Sequence, residues 1–268
     1  MPTEAPLPFF SPGADPGASF SELLRRVSPD PSPAPALSSD QIVPHGTTVL
    51  AIRYVDGVVM AGDRRATAGM MIASRRIEKV FPADDSSGVA IAGAAGPAVD
   101  LVRLFQTQLE HYEKIEGEIL SLEGKANQLS QLVRANLPAA MQGLVVVPLF
   151  AGFDDRRGVG RVFSFDVTGG KYEDIDFQTQ GSGGVHARNW IKTQWRLDMT
   201  RDETVDLALR ALFAAADEDA ATGGPDLVRR IFPTVAVINA SGYLAVDDDE
   251  VARRADALIG GREEGAGL

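Results

Sequence analysis

The stretch TVLAIRYVDGVVMAGD, residues 48–63, decides the fold. Its two halves are apolar, by alternation or throughout, and Asp56-Gly57 between them is a strong short-range hairpin signal. Two antiparallel strands are therefore predicted, and more strand signal follows in MMIASRRIEKVF (70–81) and SGVAIAGAAG (87–96). Helical periods come next: 97–116 carries Leu101, Phe105, Leu109 and Tyr112 on one stripe, and 123–141 carries Leu129, Leu132, Val133 and Leu137. GLVVVPLFAGFD (143–154), GRVFSFDVTG (160–169) and EDIDFQTQG (173–181) return to strand. Helices at about 185–195 and 202–221, strands in PTVAVINASG (233–242) and YLAVDD (243–248), and a helix from Asp249 complete the chain. Strands in hairpin blocks with helices in pairs do not suit a doubly wound parallel sheet, where the two alternate singly. They predict an α+β fold: a four-layer αββα sandwich of two antiparallel sheets, in one domain over 47–268.

Composition narrows the chemistry. The 268 residues include no cysteine, which removes disulfides, thiolate metal sites and cysteine nucleophiles. The net charge of -11 argues against a nucleic-acid partner, because a phosphate backbone needs a clustered positive surface. No apolar run reaches the ~18 residues of a membrane span. The N-terminus also lacks the charged and apolar regions of a signal peptide. A soluble cytoplasmic protein with no membrane partner is expected.

Residues 1–46 differ from the rest: they hold 10 of the 16 prolines, and only SFSELLRRV (19–27) has a short amphipathic pattern. Either this is a floppy tail, or it is a leader that must be removed at Gly46-Thr47. The second reading has a chemical logic. Cut before Thr47, the new α-amine, with a reference pKa of about 7.7–8.0, could take the proton from its own residue's hydroxyl. A peptide nitrogen cannot, so the uncut chain would be inactive toward others. A Cβ at Gly46 would obstruct the backbone geometry such a cut requires. By itself Gly-Thr-Thr is weak, since threonine is at home at a strand start.

Histidine is the usual base for a hydroxyl, but His45, His111 and His186 all read as surface or structural residues, and none has a G-x-S-x-G context. Asp63 and Lys79 fall at apolar-rich strand positions. An ammonium beside the nucleophile would stabilise an alkoxide and a carboxylate would orient it, yet spacing alone equally allows an ordinary salt bridge. GSGG (181–184) opens a helix and presents backbone N–H groups and a hydroxyl; it lacks the lysine of a phosphate loop. Asp247-Asp248-Asp249-Glu250 could hold a metal, but acids before a helix read better as a cap.

GTTVLAIRYVDGVVMAGDRRATAGMMI, RIEKVF, AIAGAAG, GSGG and DEDAATGGPD, in this order, resemble β subunits of the 20S proteasome, in particular the actinobacterial kind. The resemblance covers essentially all of 47–268, and the leader resembles that family's variable propeptides. It implies an N-terminal nucleophile hydrolase with the αββα sandwich and a threonine-type endopeptidase. Thr47 matches the nucleophile exposed by autolysis of Gly46-Thr47, with 1–46 the removed propeptide. Asp63, Lys79 and Arg65 match the charged residues beside it. Ser182, Asp219 and Thr222 match the group near the amine, Thr222 standing where many relatives have serine. Gly93 matches the oxyanion N–H. Ala66-Thr67 and Gly93 to Ala95 match the edges that bind peptide as an added strand. Ala66, Ile77, Ile91 and Ala95 match the pocket for the side chain preceding the cut, so cleavage after hydrophobic residues is expected. The resemblance further implies no cofactor or metal, seven-membered β rings stacked in pairs, flanking α-subunit rings, a regulatory ATPase ring, and tagged unfolded proteins as substrates. The rivals are a non-catalytic structural ring subunit, the bacterial two-ring protease and a free-standing amidase.

Overall fold

The computed structural model describes residues 46–265; the amphipathic segment at 19–27 and His45 lie outside them. Among the described residues, twelve strands and six helices follow one another in the predicted blocks. Strands β1 (Thr48–Tyr54), β2 (Gly57–Gly62), β10 (Phe177–Gly181), β11 (Thr234–Asn239) and β12 (Gly242–Ala245) form one antiparallel sheet, ordered β10-β1-β2-β11-β12. A second holds β5 (Val80–Asp84), β6 (Ser87–Gly93), β7 (Val146–Asp154), β8 (Val159–Phe165) and β9 (Lys171–Asp174) in sequential order. A small hairpin pairs β3 (Ala66–Ala68) with β4 (Met71–Ser74).

Side-chain alternation builds three apolar layers from these sheets. In β1 and β2, Val49, Ala51, Val58 and Met60 meet Ala90, Leu149 and Val162 of the facing sheet. Their neighbours Leu50, Ile52, Val59 and Ala61 point outward onto α4 (Gly184–Gln194), α5 (Arg201–Glu218) and α6 (Asp248–Gly265). On the far side, Val89, Ile91, Phe150 and Phe163 pack under α1 (Ala95–Glu116) and α2 (Leu122–Ala135). Each large side chain so buried contributes about 1.5–3 kcal/mol, and β1 and β2 are apolar on both faces because both faces are covered. The αββα sandwich is the observed architecture.

The helix ends follow local chemistry. Thr200 and Glu203 form a reciprocal capping box at α5, and Ser121 caps α2 by accepting from Gly124 N at 3.1 Å. Asp247 caps α6, accepting the Asp249 amide at 2.8 Å, and Asp248–Glu250 fill that helix's first turn. The acidic run is thus a helix start.

Boundaries differ from expectation at several places. Tyr54 pairs with Gly57, so the hairpin turn is Val55-Asp56, and Gly57 opens β2. The helix predicted over 123–141 is two, α2 and the short α3 (Leu137–Ala140), because Pro138 has no N–H to continue the ladder. EDIDFQTQG is also two elements, β9 and β10, which belong to opposite sheets with the chain crossing at Ile175-Asp176. Finally, α5 stops at Glu218 rather than 221, since the Asp219 carboxylate takes the Ala221 amide at 3.0 Å and closes a turn of its own.

Candidate active site

The β1–β2 hairpin sets Thr47, just before β1, beside Asp63, just after β2. Asp63 N donates to Thr48 O at 3.1 Å, and Thr48 N donates back to Asp63 Oδ1 at 2.8 Å. Lys79 arrives from the start of β5 in the other sheet, and its Nζ donates to Asp63 Oδ1 at 2.6 Å and to Arg65 O at 2.7 Å. Asp63 Oδ2 takes the amides of Arg65 and Gly223, both at 2.8 Å. Asp63 and Lys79 therefore form a buried ion pair, 0% and 3% exposed. Burial pushes the Lys79 ammonium below its ordinary pKa, and the Asp63 carboxylate opposes that shift.

A second polar chain approaches Thr47 from the α4 and α5 ends. Thr47 N lies 3.4 Å from Ser182 Oγ, whose hydroxyl donates to Asp219 Oδ2 at 2.5 Å. Thr222 Oγ1 donates to the same carboxylate oxygen at 2.7 Å. Burial alone would raise the Asp219 pKa, but the hydrogen bonds from Ser182, Thr222 and the Ala221 amide outweigh it and hold the carboxyl below its usual value. The Arg65 guanidinium reaches across to Ala220 O at 2.8 Å and ties this loop to the Asp63 side.

Thr47 is 4% exposed, and its hydroxyl donates to Gly46 O at 2.8 Å, the carbonyl of the peptide bond preceding it. Gly46 N donates to Thr67 Oγ1 at 3.1 Å. A Cβ at Gly46 would sit 1.9 Å from Ala221 Cβ, so its glycine is demanded by close approach.

Beside Thr47 opens an apolar pocket of ≈ 200 Å³, lined by Ala66, Ile77, Ile91, Gly93 and Ala95 from the sequence-derived set. Gly93 has φ 116, and a Cβ there would lie 2.0 Å from Val145 O, so only glycine fits this wall. Phe81, Ala98 and Val99 complete the lining, with Glu78 the carboxylate among the lining residues. Of the histidines described, His111 is exposed on α1 and His186 lies in the first turn of α4.

The described residues that the resemblance assigns to the site thus gather at one place. Reasoning from sequence missed the Gly223 amide, the far pocket wall and the side chain of Thr48. The signal for Gly223 lay in TGGPD (222–226), where paired glycines mark backbone brought close to something.

Comparison with known proteins gives the family of the chain. The family model described as "Proteasome subunit" matches residues 43–228. A protein of Acidimicrobium ferrooxidans named "Proteasome subunit beta" is 57% identical over 264 residues, covering 97% of this chain and 96% of the relative. Proteins of the same name from Acidothermus cellulolyticus and Streptomyces griseus are 52% and 51% identical, over 96% and 97% of this chain and 90% and 92% of their own lengths. With the family model spanning most of the chain and such relatives nearly all of it, the chain belongs to the proteasome subunit family, among the actinobacterial β subunits.

Proposed function

We propose that the chain is a threonine protease subunit of a 20S core particle, in which Thr47 is the nucleophile and its own freed α-amine the base. The observation that carries this reading is the Thr47 hydroxyl, 2.8 Å from the Gly46 carbonyl oxygen at the mouth of an apolar pocket, flanked by the Asp63–Lys79 pair.

Maturation comes first. Thr47 Oγ1 attacks the Gly46 carbonyl carbon, the C–N bond breaks, and the nitrogen takes a proton to become the free amine. Water then hydrolyses the resulting ester and releases residues 1–46 as a carboxylate. In turnover, the amine takes the Thr47 hydroxyl proton as Oγ1 attacks a substrate carbonyl, and the Lys79 ammonium stabilises the developing alkoxide. The Gly93 N–H faces the tetrahedral oxyanion. The amine passes its proton to the leaving nitrogen, and water cleaves the acyl-enzyme. Asp63 orients Lys79, and Asp219 holds Ser182 toward the amine. Ala66, Thr67 and the segment from Gly93 to Ala95 hold the peptide as an added strand.

Assembly with other proteasome subunits, in paired β rings capped by α rings and an ATPase, fits large apolar side chains left exposed, among them Met70, Ile115, Ile175 and Val228. No described helix is long and apolar enough to cross a membrane. We place the particle in the cytoplasm, acting on tagged unfolded proteins.

The test is N-terminal sequencing of the assembled chain. Incubated with a matching α subunit, it should begin at Thr47; a chain that assembles with residues 1–46 retained overturns the reading. The pocket makes a separate prediction. Ile91→Ala should deepen it and raise kcat/KM for phenylalanine relative to alanine at the cleaved position by roughly tenfold or more, in line with the worth of a few methylenes. An equal change for both peptides would remove Ile91 from the specificity pocket.

A further inference from the structure

Thr48 joins the two halves of the site and has no part in the chemistry above. It is fully buried. Its amide belongs to the Asp63–Lys79 side, and its hydroxyl lies 2.6 Å from Thr222 Oγ1 on the Asp219–Ser182 side. Gly183 leaves room for this contact: a Cβ there would stand 2.4 Å from Thr48 Oγ1 and 2.5 Å from Thr222 Oγ1.

The direction of each proton in the chain follows from counting. A carboxylate only accepts, and each hydroxyl has one proton to give. Asp219 is held ionised, so Ser182 spends its proton on the carboxylate at 2.5 Å rather than on Thr47 O at 3.5 Å. Thr222 likewise spends its own on Asp219 at 2.7 Å. Thr222 can then only accept from Thr48, which is the donor. Every proton points toward Asp219, and the lone pairs of Ser182 face Thr47 N.

We propose that Thr48 is a positioning residue whose buried hydroxyl fixes the Thr222–Asp219–Ser182 chain, so that the Thr47 amine turns its N–H groups toward Ser182 and its lone pair toward its own Oγ1. The proposal rests on the reading of Thr47 as nucleophile and amine base. Thr222 is fully buried, so no solvent replaces the lost donor when Thr48 loses its hydroxyl. Its side chain is then released to turn, and the carboxylate and Ser182 shift with it. Because Thr48 does not line the pocket, substrate binding is not touched.

The experiment compares Thr48→Val and Thr48→Ser with wild type in the assembled particle, each first checked for Thr47 as N-terminus. Valine keeps the shape and removes the hydroxyl; serine keeps the hydroxyl. The expected result for valine is a kcat lower by roughly tenfold to a hundredfold, the scale of a misplaced reacting group, with KM within about twofold, and substantial recovery in serine. If the valine chain does not assemble, Thr48→Ala is read by the same split. Unchanged kcat in the hydroxyl-free variant, an effect confined to KM, or an equal loss in serine and valine overturns the inference. A wild type that assembles uncut overturns the Thr47 reading and this inference with it. A wild type that cuts beside an unimpaired Thr48→Val overturns this inference alone.

Discussion

Thr47→Ala should give a chain that folds and assembles, keeps residues 1–46 and releases no peptide product. Among the described residues the hydroxyl makes a single hydrogen bond, to Gly46 O, and the backbone contacts of residue 47 do not depend on it. Folding therefore loses little. Chemistry loses the atom that attacks, in maturation and in turnover alike, and the retained peptide bond also withholds the base. Removing the nucleophile of a hydroxyl protease costs on the order of 10⁶ in kcat, and a comparable fall is expected here. Intact mass reads the first effect and release of a fluorogenic peptide the second. A version of the alanine chain produced without residues 1–46 separates the two causes, and it too should be inactive, because an amine without a hydroxyl has nothing to activate. Thr47→Ser should remain active, losing about threefold if its hydroxyl spreads over three staggered wells that the threonine methyl restricts. Peptidase activity in the alanine chain at wild-type level would end the mechanism.

How much of this was legible beforehand varies with the physics involved. Strands in hairpin blocks and helices in pairs are local patterns, and the four layers they predict are the layers found, with Val49 and Ala51 between the sheets and Leu50 and Ile52 facing the helices. The split of 173–181 between β9 and β10 was not legible, because sheet membership is decided by partners far away in sequence. β10 pairs with β1, and Arg53 N reaches Asp176 O at 2.9 Å. The early end of α5 escaped for a related reason. Asp219 reads as one more acidic helix residue, yet its carboxylate is claimed by Ser182 and Thr222, and Ser182 is 37 residues away. At the candidate site, residue types were readable and encounters were not: spacing left Asp63 and Lys79 open between a charged pair beside the nucleophile and an ordinary salt bridge or two solvated strand ends. Glycines told least from sequence, since close approach at Gly46 involves Ala221, a residue nothing in Gly-Thr-Thr points to.

The buried pair itself supports the second large effect. Asp63→Asn should leave a chain destabilised by about 3–5 kcal/mol, the cost of stranding one member of a buried ion pair. All four acceptances of the carboxylate are taken by donors: Thr48 N and Lys79 Nζ on one oxygen, Arg65 N and Gly223 N on the other. An amide must point its NH₂ at one of these donor pairs, and the charge opposing Lys79 is gone. At about 2–4 °C per kcal/mol for a chain of this size, the melting temperature should fall by roughly 6–20 °C. The pH dependence separates the stranded charge from a simple packing defect. Lys79 already has its pKa lowered by burial, and losing Asp63 lowers it further, so the folded variant gives up the proton at a lower pH than the unfolded chain does. Between those two values the unfolded chain binds more protons, and stability rises with pH. The deficit of Asp63→Asn against wild type should thus be largest below the folded-state pKa of Lys79 and shrink as pH rises through it. Peptidase activity follows the opposite course, because a neutral amine at Lys79 no longer stabilises an alkoxide, and the alkaline limb of the activity profile should move to lower pH. A deficit that stays constant from neutral to alkaline pH would show that the lost hydrogen bonds, and not the unpaired ammonium, account for the damage.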